Sequence, residues 1–433
     1  MNLQEFSLPL EIWEIIWSNM CIEDLTRSKR VSSFWYKNIE KIAKNEDWQS
    51  KCIAEIPRGV LYSLFKEICG TDMIDKNLIK PIIWFKTYKN FKLWQRNYSS
   101  GCVNAVISIN NRNGNKTDEF SCMAVHGEIL ALGTMNGFIY FYHLSNLQKS
   151  FFIADHLECV IKIEFWETDD GIRGVSQCQN EKIKFWDLNR KKEDKNYFSY
   201  GSFMVASGDT LYTTSCGDDR IGVRSGSSIC KFKKSQFQEI TMGEHKLYID
   251  DDYYPINATI KNFQAEDYGD TKILSITSVD KNYVGVYEVH YESGLFVYGL
   301  KEVEQLPEII NESTIKKIYV YDHVKFILAN DNICINIPGC LWTIYHNIFM
   351  KLRGVIKCLA YHANLLILGL DSGELHIIKL NHQNELQHLD FNSCNKKVYM
   401  LDYLPIINVN FSMGYNKRFV FAMSTSKVFV IKL

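Results

Sequence analysis

The chain of 433 residues contains no window of 18 uninterrupted apolar residues, so no membrane-spanning helix is expected. Charge of neither sign dominates: 49 lysines and arginines stand against 50 aspartates and glutamates, which leaves no global field to recruit nucleic acid or an anionic membrane. The thirteen cysteines are odd in number, scattered, and include no C-x-x-C pair. The opening Met-Asn-Leu-Gln-Glu-Phe lacks the basic-then-apolar pattern of a secretory leader. Together these point to reduced, mostly buried thiols in the cytosol or nucleus, where sequons such as Asn97-Tyr98-Ser99 and Asn257-Ala258-Thr259 receive no glycan.

Catalytic signatures are missing too. There is no H-E-x-x-H, G-x-S-x-G, G-x-G-x-x-G or G-x-x-x-x-G-K-[ST], so no enzyme activity and no cofactor are expected. Gly222-Val223-Arg224-Ser225-Gly226 carries its serine one place late for a nucleophile elbow and reads as a turn. His156-Leu157-Glu158-Cys159 lacks the second pair that a tetrahedral zinc site needs, and His376, His382 and His388 read as surface or satisfied histidines. Asp250-Asp251-Asp252 has no EF-type spacing after it and reads as a solvated turn.

What is present is core-forming: 46% hydrophobic residues and 13% aromatics. The first forty residues read as a compact helical unit. Leu8, Ile12, Ile16 and Met20 recur every four residues, and Pro9 sits just inside the helix start. Asp24 is placed to cap a second helix carrying Leu25, and Ser32 or Ser33 a third carrying Trp35 and Ile39. Three helices in about 40 residues are at the lower limit of independent folding, so a protein partner is expected.

The run LPLEIWEIIWSNMCIEDLTRSKRVSSFWYKNI resembles an F-box. Leu8, Pro9, Glu11, Ile12, Ile16, Asp24, Leu25, Val31, Ser32 and Trp35 match its pattern without a gap, while Met20 replaces the usual Leu and Ser28 a commoner apolar residue. The resemblance implies docking on the SKP-type adaptor of a cullin-RING ubiquitin ligase. Leu8, Pro9, Ile12, Ile16 and Leu25 should then divide between a thin internal core and the partner, with Trp35 anchoring the third helix internally.

Residues 46–98 keep a helical flavour. Trp48, Ile53, Ile56, Leu61, Leu64, Phe65 and Ile68 carry helix-face spacing, and Trp84, Phe85, Tyr88, Phe91 and Trp94 follow Pro81. This reads as a rigid aromatic connector rather than a flexible tether. Arg96-Asn97-Tyr98 is similar to the triplet that closes such a segment in F-box proteins with propellers.

From residue 99 onward the texture becomes short strands with turn dipeptides such as Asn136-Gly137, Asp170-Gly171 and Ser372-Gly373. Lys182-Ile183-Lys184-Phe185-Trp186-Asp187-Leu188 resembles the end of a WD repeat. Degenerate copies follow the same template at Phe138–Leu144, Ile221–Ser225, Val284–Val289, Ile333–Ile337, Leu375–Leu380 and Val428–Leu433. The longest interval, between Arg224 and Tyr287, has room for one more blade built from Gln238–Gly243, Lys246–Asp250 and Tyr253–Ile260. With it the mean spacing is about 41 residues, without it about 48, so eight blades are preferred slightly to seven. Val103–Ile109 is a spare strand whose pairing with Val428–Leu433 would close the ring.

The expected architecture is thus a small all-α F-box (1–45), a helical connector (46–98) and an all-β propeller (99–433). The resemblance implies a substrate-recognition subunit: the F-box holds the SKP-type adaptor, and through it a cullin and RING subunit, while the propeller holds a protein to be ubiquitinated. Arg173, Arg220, Arg224, Arg353 and Arg418 lie near blade turns and are the candidate substrate contacts, since arginine clusters grip acidic or phosphorylated motifs. A propeller scaffold without a ubiquitin role is the alternative.

Overall fold

The computed structural model describes residues 12–13, 16–17, 20, 22–45, 47–56, 60–61, 64–65, 68, 80–97, 101–108, 118–168, 170–195, 199–200, 204–207, 210–215, 228–233, 236–241, 246–249, 252–255, 259–268, 271–280, 283–292, 295–307, 310, 313–321, 324–337, 339–392, 394–414 and 417–433. The chain divides into two compact units, Met1–Ser100 and Gly101–Leu433. Among the described residues no helix is long and apolar enough to cross a membrane.

The first unit is helical. Ile12, Trp13, Ile16 and Trp17 lie in helical turns, followed by α1 (Ile22–Ser28), α2 (Ser33–Asn45), α3 (Trp48–Glu55) and α4 (Pro81–Asn97). Ser32 caps α2 by accepting the Trp35 N–H at 3.2 Å. Asp24 differs from expectation: it lies inside α1, where it pairs with Arg27 at 3.4 Å, because the helix already starts at Ile22. Asp47 caps α3 through the Ser50 N–H at 3.0 Å. Pro81 opens α4, where its missing N–H costs nothing.

Helix α4 packs against α1, α2 and α3, so residues 1–45 and 46–98 are not separate bodies. The contact with α3 is aromatic, Trp48 meeting Phe85 edge-on at 5.1 Å. Glu55 ties the same helices through the Tyr88 hydroxyl at 2.8 Å and the Lys92 ammonium at 2.6 Å. Phe65 sits edge-on to Trp84 at 4.5 Å.

The second unit is built of antiparallel sheets, seven of which have at least four strands among the described residues. Each of the first six begins on its inner strand: Phe120–His126, Val160–Thr168, Met204–Ser207, Thr259–Tyr268, Ile315–Tyr321 and Ile356–His362. The seventh runs Asn408–Gly414, Lys417–Met423 and Lys427–Lys432, and its fourth strand is Cys102–Ser108 from the start of the unit. Inner strands neighbour one another in sequence order, and Asn408–Gly414 returns to Phe120–His126. This closed succession of four-stranded sheets is a β-propeller.

Cys102–Ser108 runs antiparallel to Lys427–Lys432, from Cys102 opposite Lys432 to Ser108 opposite Lys427. The Gly101 carbonyl is held by the Lys397 ammonium at 2.7 Å and the Tyr399 hydroxyl at 2.8 Å. A Cβ at Gly101 would stand 2.7 Å from that hydroxyl, so only glycine fits without displacement.

The template segments form third strands at Phe138–His143, Lys182–Asp187, Tyr283–Glu292, Asn332–Asn336, Glu374–Lys379 and Lys427–Lys432. In the third sheet the segment at 221–225 lies outside the described residues, and the third strand is Ser228–Lys233. The residues assigned to an extra blade divide three ways. Gln236–Thr241 is the outer strand of the third sheet, Lys246–Ile249 and Asp252–Pro255 form a two-stranded hairpin, and Thr259–Tyr268 opens the fourth sheet.

Connections alternate between two ends of the ring. At one end the Phe120 N–H meets the Thr425 carbonyl at 2.7 Å and the Ser121 hydroxyl meets the Val160 carbonyl at 2.5 Å. At the other the Ser412 hydroxyl meets the Gly127 carbonyl at 3.1 Å and His126 meets Glu167 at 3.3 Å.

Candidate functional site

Two kinds of surface follow from this architecture. The helical unit hides Trp17, Leu25 and Ile39 completely or nearly so. Trp13, Trp17 and Trp35 form one indole cluster, with ring centres 4.9 Å apart for Trp13–Trp35 and 5.6 Å for each pair with Trp17. Over this core Ile12 (42%), Ile16 (37%) and Val31 (64%) stay exposed, and Phe34 joins them. Met20 and Trp35 are half-buried, and Asp24 is exposed. Leu8, Pro9 and Glu11 lie outside the described residues. Of Ile12, Ile16 and Leu25, which the sequence reading divides between an internal core and a partner, leucine lies inward and the isoleucines outward. Phe34 was missed, though its place next to Trp35 in the third helix was a usable signal.

On the propeller the candidate arginines do not form one cluster. Arg173 is buried and surrounded by carboxylates, Asp187 at 3.2 Å, Asp194 at 3.1 Å and Asp170 at 3.6 Å. Its charge is neutralised inside the second sheet rather than presented at the surface, because these acids sit on the strand and turns facing it. Burial alone would raise the Asp187 carboxyl, but the Arg190 N–H and the Arg173 and Arg190 guanidinium groups outweigh it and hold the group below the usual carboxylate range. Arg418 is also buried, beside the turn between the first and second strands of its sheet. Arg353 is exposed, at the left-handed end of α5 (Ile348–Leu352), in a connection between sheets at the opposite end of the ring. Arg220 and Arg224 lie outside the described residues.

His156, His362 and His376 are buried in the propeller. His156 is buried, 2.7 Å from the Ser176 hydroxyl and edge-on to Trp186, whose indole N–H donates to the same hydroxyl at 2.6 Å. Burial, followed by the nearby Lys184 and Lys182, lowers the His156 pKa to about 4. His376 meets Glu374 at 2.9 Å. His382 and His388 line a cavity of about 430 Å³ in the loop 379–395. Among the described residues no group of three or more His, Cys, Asp or Glu could hold a metal ion. The thiols of Cys52, Cys122, Cys334 and Cys358 are pushed up to about 12 by burial, which makes them poor nucleophiles.

A second opening lies between the starts of the fifth and sixth inner strands and Ile407, which precedes the seventh. It is a cavity of about 210 Å³ whose polar lining is Lys316, Lys317 and Lys357. Single-sequence reading had no signal for it, because the lysines are brought together only by the ring.

No protein-family model matches the sequence. No curated protein matches it either. Among solved structures, the chain is similar to the Myceliophteria thermophila Cps50 (Swd1) β-propeller domain, at 11% identity and a TM-score of 0.49, over 77% of this chain and 99% of that one. It is also similar to the computationally designed Ika8 protein, at 11% identity and a TM-score of 0.43, over 74% of this chain and 98% of that one.

Proposed function

We propose that this chain is the substrate-recognition subunit of an SCF-type cullin-RING ubiquitin ligase. In this reading the helical unit docks on the SKP-type adaptor, and the propeller, taken as seven blades with the 246–255 hairpin as an insertion, holds the protein to be modified. The supporting observation is the division of the F-box-like residues, with Ile12, Ile16 and Val31 outward while Leu25 and Trp17 fill the core. Exposed apolar side chains at such positions lower the free energy only when a partner covers them. The subunit forms no covalent bond itself. It raises the effective concentration of substrate lysines near a charged conjugating enzyme.

Co-purification from cells tests this. Wild type should recover an SKP-type adaptor, a cullin and a RING subunit. Ile12→Asp/Ile16→Asp/Val31→Asp should lose them at least about a hundredfold, as expected for charge placed in a desolvated interface, with an unchanged circular dichroism spectrum. Ubiquitinated clients that depend on residues 1–45 favour the ligase over a scaffold. Failure of the intact chain to bind any adaptor overturns the proposal.

A further inference from the structure

Sulfur collects where the first sheet meets the second. Met135 sits in the turn between the second and third strands of the first sheet, and Cys159 in the connection that leads into Val160–Thr168. The Cys159 Sγ lies 3.4 Å from the Met135 Sδ, so the ring sets a thiol directly on a thioether. Cys178 ends the neighbouring strand with its backbone opposite Val160, near enough for its thiol to act on Cys159. Cys122 lies beneath, packed on Gly133, where an added Cβ would stand 2.6 Å from its Sγ. The Ser121 hydroxyl, 4.0 Å from that Sγ, also hydrogen-bonds Cys159.

The outer pair is open to solvent and the inner pair is not. Met135 is exposed and Cys159 half-buried, while Cys122 and Cys178 are buried. The charged groups that act on these thiols from the adjoining turns include Asp118 at Cys159 and Glu158 at Cys178. Asp118 is fixed there by the Glu119 and Asn136 N–H groups, at 2.9 and 3.2 Å. An accessible sulfur pair under a negative field suits a soft cation.

We infer that Met135 and Cys159 bind one copper(I) ion. Thiolate and thioether sulfurs are soft donors that select copper(I). A structural zinc ion takes four ligands from Cys, His and carboxylate side chains, and the described residues bring no three of these together. Burial raises the Cys159 thiol above its usual range, so the ion displaces a proton. Copper(I) and the thiol become a neutral copper thiolate and a proton released to solvent; Met135 adds a lone pair, and no electron changes hands. With each sulfur about 2.3 Å from the ion, the length of a zinc–thiolate bond, their present spacing subtends about 95° at the metal, and rotation of the exposed Met135 side chain widens it. The site lies within the propeller, so adaptor capture through the helical unit reads out a separate property.

Anaerobic titration of the reduced full chain with copper(I), in competition with the chromophoric chelator bicinchoninate, tests it. Cys159→Ser should weaken retention of the first equivalent at least about a hundredfold and Met135→Leu about tenfold, since losing even the partners of metal ligands costs roughly 10–100-fold. Both positions are solvent-accessible, so the unfolding midpoint should not move. Cys102→Ser, which removes an exposed thiol of another sheet, should keep wild-type affinity. Excess zinc(II) should leave the copper in place. X-ray absorption of the first equivalent should show sulfur neighbours only; a count of two assigns the pair alone and three adds Cys122, and both uphold the site. Retention unchanged by Cys159→Ser and Met135→Leu, loss with Cys102→Ser instead, displacement by zinc(II), or nitrogen and oxygen neighbours overturns it.

Discussion

Trp17 and Trp186 solve the same problem in opposite ways. Both are buried indoles, but Trp186 in the propeller gives its N–H to Ser176, while the Trp17 N–H in the helical unit has no acceptor among the described residues. The same holds for Trp48 and Trp84, which sit in the aromatic layer between α3 and α4. The helical unit therefore uses tryptophan for bulk and accepts the desolvation of its N–H, whereas the second sheet uses it as part of a polar network. The units also differ at their edges. The propeller pairs Cys102–Ser108 with Lys427–Lys432, leaving no open third strand there, while the helical unit keeps Ile12, Ile16 and Val31 exposed. One region is finished by its own chain; the other keeps part of its apolar surface exposed.

Removing that self-completion should have the largest effect. Deleting residues 102–108 strips the pairing from Lys427–Lys432 and removes Ile107 from the core shared with Phe120, Phe421 and Val430. The propeller's unfolding midpoint should fall on the order of 10 °C or more, with the loss of protection in hydrogen exchange concentrated on 417–432. An unchanged midpoint would mean that the first strand is a dispensable tail.

Next in size is Trp17→Ala, expected to destabilise the helical unit by about 3–5 kcal/mol, the range for emptying a buried aromatic site. Exchange in α2 and α4 should rise while the propeller strands stay protected. Ser176→Ala should be smaller, about 1–3 kcal/mol, because it leaves the Trp186 N–H and His156 Nε2 without their shared hydroxyl. The informative contrast is the size-conserving pair: Trp17→Phe should cost less than Trp186→Phe, since only the latter strands a partner. The opposite order would erase the distinction between the two indoles.

How much of this was legible in advance follows the same division. Lys182-Ile183-Lys184-Phe185-Trp186-Asp187 announced a third strand because alternation and the Trp-Asp pair coincide on one segment. The third sheet was harder: its third strand begins at Ser228, and the segment the template selected, Ile221–Ser225, lies outside the described residues. The following interval looked long enough for another blade because it holds the two-stranded hairpin Lys246–Ile249 and Asp252–Pro255 besides the outer strand of the third sheet. In the helical unit the four-residue spacing of Ile12 and Ile16 defined a face, but periodicity does not say whether a face points inward or outward. The lysine opening was invisible for a different reason. Lys316 and Lys357 are 41 positions apart in the sequence, and only ring closure brings them to one cavity.

The smallest difference between the units should appear in their response to acid. Residues 1–100 contain no histidine, whereas the propeller buries His156 and His362. Burial lowers His362 to about 3, and burial with the neighbouring lysines lowers His156 to about 4, both from an ordinary value of 6.5. A base whose folded pKa is depressed stays neutral in the fold and gains its proton on unfolding. Its contribution is therefore complete above pH 6.5 and is lost as pH falls toward the folded value. For His156 that loss amounts to about 1 kcal/mol by pH 5.5. In the helical unit the titrating cap is Asp47, lowered from 3.8 by the Ser50 hydrogen bonds, so its loss begins only as pH drops below 3.8. Between pH 6.5 and 4.5 the propeller should therefore weaken while α3 and α4 hold, as read by hydrogen exchange across that range. His156→Asn should flatten part of the propeller's slope and leave the helical unit untouched; a slope shared equally by both units would show that the buried imidazoles are not its source.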